Sequence, residues 1–144
     1  MRGLLTAAAV LALLGGCAGR PDYRAVRGSA DRYPAAPSEA VWHLRVGLNV
    51  AALMCKGRGR TAVSGAYARL LGRHRALLDA AYRAEQRRHG GGFDQHQTRI
   101  YNRFANQRDP AAFCRRAATV AAHATALSSA ALAQQAGKLL GQID

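Results

Sequence analysis

The chain is poor in acid. Eight Asp and Glu stand against 21 Lys and Arg in 144 residues, and only Glu39 and Glu85 are glutamate. A carboxylate pair for glycoside hydrolysis would have to be assembled from Asp79, Glu85 and Asp94, and nothing in their spacing supports one. There is no Gly-x-Ser-x-Gly elbow. There is also no His-Glu-x-x-His, no P-loop and no dinucleotide fingerprint. These absences remove the commonest hydrolase, zinc-protease and nucleotide-binding readings. No catalytic set and no cofactor is predicted, and the chain is expected not to be an enzyme. No metal-ligand set is predicted either, because neither Cys55 nor Cys114 has a second Cys or a His at ligand spacing. Internal repeats and a second domain are lacking too. The apolar run from Leu4 to Leu14 spans 11 residues, short of the roughly 20 needed to cross a hydrocarbon core.

That run fits the h-region of an export signal, with Arg2 as its positive n-region. The stretch Leu14-Gly15-Gly16-Cys17 resembles a bacterial lipobox: a branched apolar residue, two small residues, then cysteine. The resemblance implies that residues 1–16 are a signal peptide, that Cys17 receives a diacylglyceryl group, and that the leader is cut off before it. Anchoring by several acyl chains is stable, since each buried methylene contributes about 0.8 kcal/mol. By resemblance to enteric sorting rules, Ala18 after the cysteine points to the outer membrane, facing the periplasm.

Loss of the leader leaves 20 Lys and Arg against 8 acids, a charge of +12. The bias of 19 Arg to 2 Lys, beside 32 Ala, is partly what a GC-rich genome produces. The functional reading is attraction to a polyanion. An exported protein meets anionic lipid, lipopolysaccharide or cell-wall polymer, and nucleic acid is not expected as a partner. The alternative is a binder or inhibitor of an acidic envelope enzyme.

Residues 17–37 read as the lipidated cysteine and a flexible linker, interrupted by Pro21, Pro34, Pro37, Gly19 and Gly28. Residues 38–144 read as one helical domain. Ser38 is placed as the N-cap of a first helix with Val41, Leu44, Leu48, Ala52 and Cys55 at helical spacing. Gly47 and Asn49 weaken that helix. A second helix carries Val63, Tyr67, Leu70, His74, Leu77, Ala81 and Ala84, a heptad-type seam, and Gly90-Gly91-Gly92 stops it. His74 within this seam reads as a hydrogen-bonded core histidine, whereas His89 and His123 fit no pattern. A third helix runs from Asp94 to Gln107 with Phe93, Gln97, Ile100 and Phe104 on one side. A fourth starts at Asp109 as N-cap with Pro110 next, and continues through Phe113, Ala117, Val120, Ala124, Leu127 and Ala131.

The fold class is therefore all-α: an up-down antiparallel bundle of about four helices. With Cys17 lipidated, Cys55 and Cys114 remain in an oxidising compartment, where a disulfide is the default. The bundle topology places both at one pole. Lys56, Arg58, Arg60, Arg108, Arg115 and Arg116 gather at that pole as a candidate anion site at a helix N-terminus. Asp94, His96, Arg99 and Asn102 form a candidate polar cluster on the third helix. An enzyme working from Asp94 and His96 is the remote alternative, because no nucleophile completes the pair.

The Asn49–Cys55 stretch, the Asp94–Asn102 stretch and Phe113-Cys114 resemble stretches of small exported helical proteins of alphaproteobacteria. The resemblance implies a disulfide-bonded helical domain, draws attention to Asp94, His96, Arg99 and Asn102, and implies no substrate.

Overall fold

The computed structural model describes residues 35–55 and 58–144, with side chains from 37–55 and 62–144. The predicted signal peptide, Cys17, most of the predicted linker and Lys56 lie outside the described residues. Arg58 and Arg60 are described as backbone only. Six α-helical segments follow one another: α1 (Ala35–Met54), α2 (Arg58–Arg73), α3 (Arg75–His89), α4 (Phe93–Ala105), α5 (Pro110–Ala126) and α6 (Ser129–Ile143). A short 3₁₀ turn, Gly90–Gly92, links α3 to α4. Among the described residues there is no strand, and no helix is long and apolar enough to cross a membrane.

The all-α expectation holds, with a different arrangement of helices. Helix α1 is apolar on all sides: Val41, Trp42, Leu44, Val46, Leu48, Val50 and Ala51 are all buried. A helix of that kind must be surrounded. It touches each of the other five helices and forms the axis of the domain. It begins at Ala35, so Ser38 is not its cap but a buried residue of its first turn. Pro37 is tolerated there, where backbone N–H groups have no intrahelical partner.

Gly47 is what lets α1 take the central place. A Cβ at this position would lie 2.9 Å from Ile143 Cδ1 and 3.0 Å from Phe104 Cε1 and Cζ. The glycine that weakened the sequence reading is the point where α4 and α6 close on the axis.

The second predicted helix is α2 plus α3, bent at His74 (φ −109°, ψ 22°). Backbone bonds from His74 N to Leu70 O (3.0 Å) and from Leu78 N to His74 O (2.9 Å) carry the seam through the bend. Val63, Tyr67, Leu70, His74, Leu77 and Ala81 are all buried, as the heptad spacing required, and Ala84 at the end of the seam is half-buried. His74 is the core histidine expected. Its Nε2 donates to Ala124 O (3.1 Å), a carbonyl in the last turn of α5, and its Nδ1 accepts from Ser129 Oγ (2.9 Å).

The fourth predicted helix is in fact two. Leu127 and Ser128 turn extended (ψ 158° and 159°), and Ser128 Oγ accepts from Ala131 N (3.1 Å) to start α6. The sequence reading ran through Ser128 because alanines on both sides keep a helical rhythm. The predicted start of α5 is observed: Asp109 Oδ1 accepts from Ala112 N (2.9 Å), with Pro110 opening the helix. The predicted disulfide joins Cys55, just past α1, to Cys114 in the first turns of α5, with Cα atoms 5.6 Å apart.

Candidate functional site

Glu85 lies one turn before the end of α3 and is fully buried. Gly90 adopts φ +49°, a conformation that disfavours side-chain-bearing residues. The chain can therefore turn sharply within three glycines, and α4 begins at Phe93. That tight turn sets His96 of α4 beside Glu85, with Nε2 3.0 Å from Oε2. Axis helix α1 lays His43 against the same oxygen at 3.6 Å. His89, one turn after Glu85 on α3, brings its Nε2 to 3.5 Å. Three imidazoles from three helices thus converge on one carboxylate oxygen.

Neighbouring contacts fix this register. Trp42 Nε1 donates to Gln97 Oε1 (3.1 Å), tying the residue beside His43 to the residue beside His96. Tyr82 packs against both Trp42 and Phe93, at 5.1 and 5.3 Å between ring centroids. Arg45 donates to Tyr101 OH (3.2 Å) and lies over the Trp42 ring. His89 stacks on His96 at 3.6 Å and 17°.

The other carboxylate oxygen, Oε1, has Arg88 Nη1 at 3.4 Å. Arg88 also pairs with Glu39 of α1. A buried carboxylate is costly unless countered by positive charge or hydrogen bonds. Even so, Glu85 Oε1 and His89 Nε2 are buried without a hydrogen-bond partner among the described residues. Burial holds the pKa of His43 below the usual imidazole range, against the pull of Glu85 and Glu39. His43 is thereby favoured as the neutral ring, which carries a nitrogen lone pair. The centre has the chemistry to share a proton or to hold a cation.

Of the predicted polar cluster, only His96 belongs to this centre. Asp94, Arg99 and Asn102 are exposed. The acid partner of His96 is Glu85, not Asp94, whose backbone oxygen accepts from Thr98 Oγ1 (2.9 Å). Helical geometry explains this. Taking buried Phe93 as reference and about 100° per residue, His96 falls within about 60° of the packed face, whereas Asp94, Arg99 and Asn102 lie about 100° or more away.

Of the predicted anion site, Arg108, Arg115 and Arg116 are exposed. Arg115 borders a cleft of about 730 Å³ lined with Met54, Pro110, Ala111, Cys114, Ala118 and Thr119. The sequence reading missed His43, Glu85 and His89 as site residues. Their one local signal is Glu85 and His89 four apart on a helix, which puts both on one face. No family model, curated protein or solved structure matches the chain.

Proposed function

We propose that the protein is a lipid-anchored envelope protein with a structural or adaptor role. Its helical domain is held at the membrane through Cys17 and binds an anionic envelope component with its arginine-rich surface. The observation that carries this reading is the fate of the acids. Among the described residues, Glu85 is buried, Glu39 is paired with Arg88, Asp144 is paired with Arg103 (3.1 Å) and Asp109 caps α5. Only Asp79 and Asp94 remain. Arg69, Arg75, Arg87, Arg99, Arg108, Arg115 and Arg116 are meanwhile exposed. The exposed arginines are therefore opposed by few free acids, and their field favours anionic partners.

The Cys55–Cys114 bond supports an oxidising, extracytoplasmic location. The chain enters at the start of α1, and the disulfide closes the other end, about 28 Å away at 1.5 Å per residue. Arg115 and Arg116, beside Cys114, then face away from the anchor and toward a second surface such as lipopolysaccharide or cell-wall polymer.

Two measurements test the proposal. Mass analysis of membrane-extracted protein is expected to find diacylglyceryl on Cys17 and the other two cysteines oxidised. A free, unlipidated protein overturns the anchored reading. On a heparin-type column in mild detergent, full-length protein is expected to elute at higher salt than the R108A/R115A/R116A variant. Equal elution overturns the anion-binding surface. Capture of one stoichiometric acidic protein from solubilised membranes would instead favour the binder or inhibitor reading.

A further inference from the structure

We propose that His43, Glu85 and His96 form a binding site for a divalent transition-metal ion, with Zn²⁺ the fitting species. The inference is independent of the surface reading above and rests on four observations.

The first is distance. His43 Nε2 and His96 Nε2 are 3.4 Å apart, and their distances to Glu85 Oε2 are 3.6 and 3.0 Å. All three atoms lie within ligand reach of one another. The point equidistant from them is about 1.9 Å from each, just inside the roughly 2.0–2.2 Å of zinc–nitrogen and zinc–carboxylate bonds. An ion at bonding distance sits slightly out of the ligand plane, and the opposite side of the ion is left for a further ligand such as water.

The second is that hydrogen bonds use this triangle poorly. An imidazole N–H points along one line, and the angles inside the triangle are near 60°. If His96 Nε2–H serves Glu85, the contact between the two histidines needs a proton from His43. His43 then has nothing left for Oε2. If His96 Nε2 is unprotonated, its lone pair faces an anionic oxygen at 3.0 Å. A central cation turns all three contacts attractive at once.

The third is charge. Glu85 is fully buried, and its Oε1 makes no hydrogen bond among the described residues. A divalent ion on Oε2 adds positive charge inside the fold to that of Arg88, which Glu85 shares with Glu39, and Arg88 can stay at Oε1 as the outer partner of the ligating carboxylate.

The fourth is donor type. Two imidazoles and one carboxylate suit borderline divalent ions, whereas calcium and magnesium take oxygen shells and copper(I) takes sulfur. Among the described residues no thiol competes, since Cys55 and Cys114 are bonded to each other. His89 is a neighbour, not a ligand. Its ring is nearly parallel to His96, and two stacked rings cannot both aim in-plane lone pairs at one ion.

The test uses untagged, full-length protein in detergent, stripped with chelator and titrated with Zn²⁺ while the fluorescence of Trp42 is followed. Trp42 is the only tryptophan, adjoins His43 and bonds to Gln97. The expected result is one ion per chain with Kd below about 10 µM, weakened about 100-fold or more in H43Q and H96Q and unchanged in H123Q. Absence of binding to the unmodified protein below about 100 µM overturns the site, as does equal binding by H43Q and H96Q. X-ray absorption of the zinc-loaded unmodified protein gives a readout that no variant's folding affects. Two imidazoles and a carboxylate are expected, and a shell of oxygen alone overturns the assignment.

Discussion

Glu85 Oε2 and His96 Nε2 meet at 3.0 Å although they belong to different helices, eleven positions apart in the chain. The contact depends on the triple-glycine turn between α3 and α4, and on α1 covering it from the third side. It places the least solvated acid of the described domain among three of the five histidines.

Glu85 therefore contributes to stability through both shape and charge, and the two can be separated. Glu85→Ala is expected to destabilise the metal-free domain by about 2–4 kcal/mol, through lost contacts and a cavity. Glu85→Gln keeps the volume and is expected to cost about 1–2 kcal/mol, through weakened polar contacts. Denaturant midpoints at constant m-value check the order. Equal losses would mean that the lost volume adds nothing to the lost charge, and no loss in Glu85→Gln would mean that charge contributes nothing.

Gly47→Ala is expected to destabilise by about 1–3 kcal/mol even though alanine is the better helix former, because the new methyl meets Ile143 and Phe104. Gly137→Ala, in α6 with nothing within 4 Å of the added carbon, is expected to gain up to about 1 kcal/mol. Thermal unfolding of the pair should give shifts of opposite sign.

Stability should fall on mild acidification. Burial is the main cause that lowers the pKa of His74, and the hydrogen bond to Ala124 only partly opposes it. The unfolded chain then binds a proton more readily than the folded one below the ordinary value of 6.5. The contribution of neutral His74 is complete above that value and is lost as the pH drops toward the lowered folded value. Titration of His43 is displaced in the same direction, so the H74Q variant isolates one share. Its unfolding free energy between pH 7 and pH 5 should vary less than that of the unmodified protein.

The disulfide spans 59 positions, and closing a loop of that length contributes about 4 kcal/mol in the chain-entropy model. The C55S/C114S variant is expected to lose a comparable amount, measured by chemical denaturation. A loss below about 1 kcal/mol would show that the reduced chain already holds the two ends together.

Much of the fold is legible residue by residue. The seam from Val63 to Ala81 is buried as its spacing demands, Asp109 and Pro110 open α5, and Cys55 finds Cys114. What was illegible has specific causes. Helix α1 lacks a polar face, so a one-stripe reading could not reveal that it is the axis. Ser128 is one small polar residue inside an alanine-rich run, and the capping bond that makes it a break is visible only in three dimensions. The polar residues near His96 look like a cluster along the chain, yet the helical period of α4 turns Asp94, Arg99 and Asn102 toward solvent.

The sequence by itself determined the helical class and the excess of positive charge, because period and composition are local or additive; it reduced three cysteines to one pair only on the expectation that Cys17 is lipidated, and the structure joins Cys55 to Cys114. Only the tertiary structure decided which helix lies at the centre and which polar groups meet there. His43 and His96 are 53 positions apart, and no spacing rule joins them. Their meeting on Glu85 follows from three glycines that turn the chain and from Gly47, which lets α4 approach the axis.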